Sequence, residues 1–114
     1  MLVAFSVAPS GTPQHDAVRR SAGGADGSVH DAVAAAVAVV RASGLPHRTT
    51  SMFTELEGEW DEVMDVVKRA VDAVRPFGSR VSLVLKADIR PGYTGELDAK
   101  IDRLETAIEA LGDD

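Results

Sequence analysis

The sequence predicts an α+β fold: a ferredoxin-like βαββαβ sandwich with a four-stranded antiparallel sheet and an extra C-terminal helix. Three observations predict it. The chain has 114 residues, 45% of them apolar, which supports one compact domain over 1–114 and is too short for two. Its apolar residues fall into extended and helical stretches in the order strand, helix, strand, strand, helix, strand. Glycine and proline punctuate those stretches, and right-handed crossovers leave few ways to connect them.

Leu2–Val7 (LVAFSV) is a β-branched and aromatic run closed by the turn signal APSGTP, so it reads as the first strand. Met1–Ala8 has neither a basic segment nor a cleavage site, which favours a strand over a signal peptide. From Pro9 to Gly27 the composition shifts to Gly, Ser, Pro, Ala and charge, and a flexible loop is expected over 14–27. Ser28 then starts a helix, because Ser28-Val29-His30-Asp31 has the S-x-x-acid form of a capping box. Val29, Val33, Ala36, Val37 and Val40 give it one narrow apolar stripe, and Gly44 with Pro46 ends it.

Between His47 and Glu57 no helical stripe exists, and Thr, Phe and Met dominate. Two short strands are expected there, reversing near Ser51–Phe53. Glu59 opens the second helix, with Trp60, Val63, Met64, Val67, Ala70, Val71 and Val74 as its expected buried face, until Pro76 and Gly78 stop it. Arg80–Asp88 is the fourth strand. Over 94–111 a charged helix carries Leu97, Ile101, Leu104, Ile108 and Leu111 at the alternating spacing of a coiled-coil seam. It is too short to stand free and is expected to act as an oligomerisation helix. A sheet with helices on one face leaves the other bare, and that also predicts oligomers, joined sheet to sheet or through the last helix.

Charge and composition narrow the function. The net charge of −6, without any Lys- or Arg-rich run, argues against a nucleic-acid or anionic-membrane surface. No apolar run reaches the ~20 residues of a membrane span. Cysteine is absent, which excludes disulfides and thiolate chemistry, and the expected setting is cytoplasmic. His15, His30 and His47 lack metal-ligand spacing, so no metal is expected. No G-x-S-x-G elbow is present, and Gly23, Gly24 and Gly27 precede a helix without the lysine of a phosphate loop. No catalytic residue and no cofactor are assigned.

One stretch remains, SMFTELEGEWDEVM (Ser51–Met64), with Glu55, Glu57 and Glu59 on alternate residues followed by the only tryptophan. The plainer explanation is that acids near a helix start are favoured by the macrodipole, at ~0.3–1 kcal/mol each, and that Trp60 anchors the helix. The other is that these groups face a small ligand.

The chain resembles the YkoF-related thiamine-binding protein family. The resemblance rests on the Ser28-led helix ending in Arg41, Ser43, Gly44 and Leu45. It continues through Thr50, Met52, Thr54, Leu56, Glu57, Gly58, Glu59, Trp60, Asp61, Glu62, Val63 and Met64, and covers nearly the whole sequence. Two features depart from the pattern: Phe53 stands where glycine is common, and the loop before the first helix is longer. The resemblance implies a ferredoxin-like domain assembled as a dimer of dimers, binding thiamine or its hydroxymethylpyrimidine moiety without catalysis. Glu57 is then the expected charged partner of the ligand. Thr50, Ser51, Met52 and Thr54 would supply hydroxyl, backbone and thioether contacts, Phe53 or Trp60 a ring face, and Ser6 and Ser28 further polar lining. A 4-aminopyrimidine matches such donors and acceptors, and a thiazolium cation suits acidic and aromatic surroundings. Two other readings of the residues stand beside it: an oligomeric regulatory or interaction module without a native ligand, and an enzyme of thiamine precursor metabolism using Glu57 as base.

Overall fold

The computed structural model describes residues 1–14 and 30–112. In chain order these form β1 (Leu2–Ser10), α1 (His30–Ala42), β2 (His47–Thr49), β3 (Thr54–Glu57), α2 (Trp60–Val74), β4 (Arg80–Asp88) and α3 (Glu96–Gly112), with a 3-10 turn over Arg75–Phe77 after α2. The sheet order is β2-β3-β1-β4 with every neighbour antiparallel, the α+β layout expected of the ferredoxin-like fold. The Ser28 cap and the loop, from residue 15 onward, lie outside the described residues.

Alternation along β1 builds the core. Val3, Phe5 and Val7 project to one side, where the register sets Val3 beside Leu56 and Phe5 beside Thr54. Val63, Val66, Val67, Ala70 and Val74 of α2 and Ala32, Ala36 and Val40 of α1 close over them. Apart from Phe5 and Leu56, this interior is alanine and valine, as the composition implied.

Two details differ from the periodic reading. The buried stripe of α1 is Ala32, Ala36 and Val40, while Val33 is exposed and Val37 half-buried. Methyl-sized side chains let the helix lie close to the sheet, which turns the bulkier valines toward its margin. Trp60 is 54% exposed instead of anchoring α2, and Val66 takes an interior place that Met64 was expected to share. At its first turn a large ring can leave the helix–sheet contact without opening a void.

The acids at the start of α2 have local work. Glu59 has extended backbone angles (φ −74°, ψ 158°), and its N–H donates to Glu62 Oε1 at 3.1 Å, within a capping box. After α2 the chain passes so close to β1 that a Cβ on Gly78 would sit 2.4 Å from the Ser10 carbonyl oxygen. Only glycine fits there.

The fourth element of interest, α3, is held near its N-terminus and leaves the body beyond. Glu96 and Leu97 are buried, whereas Ile101, Leu104, Ile108 and Leu111 are all exposed. Its first turns lie over the open sheet face, where Leu2, Ala4, Glu55, Lys86 and Asp88 meet Leu97, Lys100 and Ile101 around a groove of about 250 Å³. Lys100 pairs with Asp88 across that groove. The ammonium donates to the Asp88 carboxylate and holds its pKa below the ordinary carboxylate value. A lowered folded pKa means the tie is complete at neutral pH, above the unfolded carboxylate's value, and is lost as pH falls through the lowered one. An NMR titration of the Asp88 side-chain carbon is expected to give a midpoint below that of a free aspartate. Lys100→Met is expected to return it upward.

No helix among the described residues is long and apolar enough to cross a membrane.

Candidate functional site

The sequence-selected residues separate into two places, at opposite ends of the short strand β3. The first is the bend between β2 and β3. Thr50 N–H donates to the Phe53 carbonyl at 2.9 Å, the Thr50 hydroxyl donates to the same oxygen at 3.0 Å, and Phe53 N–H points back to Thr50 Oγ1 at 3.3 Å. A threonine hydroxyl that mimics a backbone turn is what lets four residues reverse the chain without glycine.

Behind this bend lies a hollow of about 100 Å³ between β1, α1 and the bend itself. Ser6, Thr50, Ser51, Met52, Phe53 and Thr54 line it, six of the nine expected site residues, together with Val33 and Val37. Thr54 is buried, Ser6 and Phe53 are half-buried, and Met52 stands at the rim, largely exposed. Among the described residues no hydrogen bond uses the hydroxyls of Ser6, Ser51 or Thr54. Each offers one donor and two acceptor positions. Ser28 lies outside the described residues, and Trp60 lines neither this hollow nor the one below.

Glu57 ends β3 on the other side. Its carboxylate is buried and accepts two backbone N–H groups from the first turn of α3, Glu96 at 3.0 Å and Leu97 at 3.2 Å. Those amides carry the partial positive charge of a helix N-terminus, so they compensate a buried carboxylate electrostatically as well as by hydrogen bonding. Beside it opens a cavity of about 540 Å³ whose walls include Leu45, His47, Arg48, Glu62, Tyr93 and Asp98. Arg48 crosses from β2 to bond Asp98 at 2.5 Å and the Leu97 carbonyl at 3.3 Å. Tyr93 carries the Arg90 guanidinium over its ring at 3.5 Å.

The three alternate acids therefore do three different things. Glu55 borders the groove under α3, Glu57 caps α3, and Glu59 belongs to the capping box of α2. Period two puts Glu55 and Glu57 on the open sheet face, and the strand ends before Glu59. What sequence reading missed is the partner of Glu57. Glu96 and Leu97 lie 39 and 40 residues away, and a backbone amide leaves no trace in side-chain identity. Among the described residues no group of three potential metal ligands gathers.

Comparison with known proteins bears on the family and the fold. Residues 3–105 match the sequence profile of a family described as thiamine-binding protein. A UPF0045 protein of Mycobacterium bovis is 44% identical over 106 residues, covering 92% of this chain and 91% of that one. Among solved structures, a protein of Methanocaldococcus jannascii superposes with a TM-score of 0.72 at 26% identity, covering 91% of this chain and 94% of that one. A Thermotoga maritima protein proposed to act in thiamine biosynthesis or salvage gives 0.65 at 25% identity, covering 87% and 94%.

Proposed function

This chain belongs to the thiamine-binding protein family, and on that premise we propose that it binds thiamine or its hydroxymethylpyrimidine moiety at the β2–β3 bend. The observation that carries the reading is the convergence of six of the nine expected site residues, three of them the motif residues Thr50, Met52 and Thr54, on one hollow with uncommitted hydroxyls. An aminopyrimidine presents a donor amine next to an acceptor nitrogen, and the Ser51 and Thr54 hydroxyls can answer both. Ser6 contributes wall rather than hydroxyl, because alternation along β1 turns its side chain to the open face. The Phe53 ring offers a face for stacking, and Met52 a polarizable edge. A hollow of about 100 Å³ is comparable with the ~150 Å³ cavity that takes up benzene. A substituted pyrimidine would enter only in part, with the rest of thiamine at the mouth.

A second seat is favoured by volume and charge. The cavity beside Glu57 falls within the ~300–1,000 Å³ of ordinary ligand sites, and that carboxylate would face the cationic thiazolium. Calorimetry separates the two. Thiamine and hydroxymethylpyrimidine are both expected to bind, about tenfold more weakly in Thr54→Val, since a lost hydrogen bond of about 1.4 kcal/mol is a factor of ten. An effect of Glu57→Gln with none from Thr54→Val would move the site to the larger cavity. No binding of either compound at millimolar concentration would end the proposal.

We assign no reaction, because the family is one of binding proteins, and sequestration, sensing or delivery is the corresponding role. The exposed seam of α3, at coiled-coil spacing, supports association with further copies, proposed as a dimer of dimers.

A further inference from the structure

We propose that Glu57 is the positioning residue of the C-terminal helix, a single buried carboxylate that sets the direction in which α3 leaves the body. The inference rests on no ligand. Before α3 the chain turns twice at glycine: Gly92 and Gly95 both have positive φ, +85° and +68°, and each added Cβ would meet nothing within 4 Å. At these two positions no side chain packs against the body to orient the helix. Its other ties to the body are the buried Leu97 side chain, which has no directional bond, the half-buried Arg48, which reaches Asp98 and the Leu97 carbonyl, and the Lys100–Asp88 pair, whose charges are screened by solvent and salt. Arg103 with Glu96 joins two residues of the helix itself and orients nothing.

Glu57 differs from these in three ways. It is buried, it sits on a strand paired with β1 and β2, and it holds two successive backbone amides where Arg48 reaches one carbonyl. Two parallel N–H···O bonds to successive amides fix the helix end in angle as well as in position. Among the described residues no cation pairs with Glu57, so the carboxylate and the helix N-terminus each depend on the other for charge compensation.

The test is amide hydrogen exchange in Glu57→Gln, an isosteric change that leaves one acceptor and turns an NH₂ toward the second amide. Exchange at Glu96 and Leu97 is expected to rise about tenfold or more, while the amides of Val3, Leu56 and Val67 keep their rates. Glu57→Ala should give a larger effect at the same two amides. Unchanged protection at Glu96 and Leu97 in Glu57→Gln would overturn the inference. So would an equal loss across the core, or failure of that variant to fold, since either would make Glu57 a general structural residue. Light scattering adds a separate readout: subunit affinity is expected to fall about tenfold in Glu57→Gln. A wild-type chain found to be monomeric would defeat the proposed assembly while leaving the exchange result to judge Glu57.

Discussion

Leu56→Ala is expected to lower the unfolding free energy by about 4 kcal/mol, in the upper part of the range for truncating a buried leucine. Leu56 is fully buried at the middle of the sheet, paired with Val3 on one side and His47 on the other. The fully buried core it belongs to is, Phe5 apart, made of valines and alanines. β-Branched side chains hold one rotamer, and alanine has none to adjust, so the neighbours cannot move in to fill the space. The cavity term therefore adds nearly in full to the transfer term. Urea denaturation should show a lower midpoint at an unchanged slope. A loss below about 1 kcal/mol would mean that the Ala–Val core relaxes in a way its rotamers should forbid.

If α3 joins copies of the chain as proposed, Leu104→Glu is expected to yield monomers with little effect on the fold of each chain. Leu104 is 57% exposed and lies at the centre of the seam formed with Ile101 and Ile108. In an isolated chain the substitution swaps one solvated side chain for another, an effect normally within ~0.5 kcal/mol. Against a second copy it buries one carboxylate from each chain in apolar surroundings, and an unpaired buried charge costs several kcal/mol. The dissociation constant should rise more than about a hundredfold, visible as a halved or quartered mass by light scattering. If the mass is unchanged and the mutant assembles like the wild type, the seam is not the interface.

The resemblance to the thiamine-binding family was legible because its markers are local. Thr50, Met52, Thr54, Glu57 and Gly58 fall within nine residues, and the backbone keeps such neighbours in a predictable relation. The hydroxyl-rich bend follows from that spacing, since Thr50 can reach Phe53 only three residues on. Glu57 was expected from the sequence to meet a ligand; the partners it holds in the structure, the first amides of α3, were not legible. The amides it holds belong to a helix that could have docked anywhere its linker allowed.

The same distinction runs through the fold. Alternation along β1 and β3, the stripe of α2 and the stops at Gly44, Pro46 and Pro76 are short-range patterns, and from them sequence alone determined the βαββαβ order and the Ala–Val core. Which face of α1 turns inward, where Trp60 ends up and what Glu57 grips depended on contacts between distant segments. Such contacts are chosen by close packing and by the need to compensate every buried charge, and neither condition exists until the chain has closed on itself.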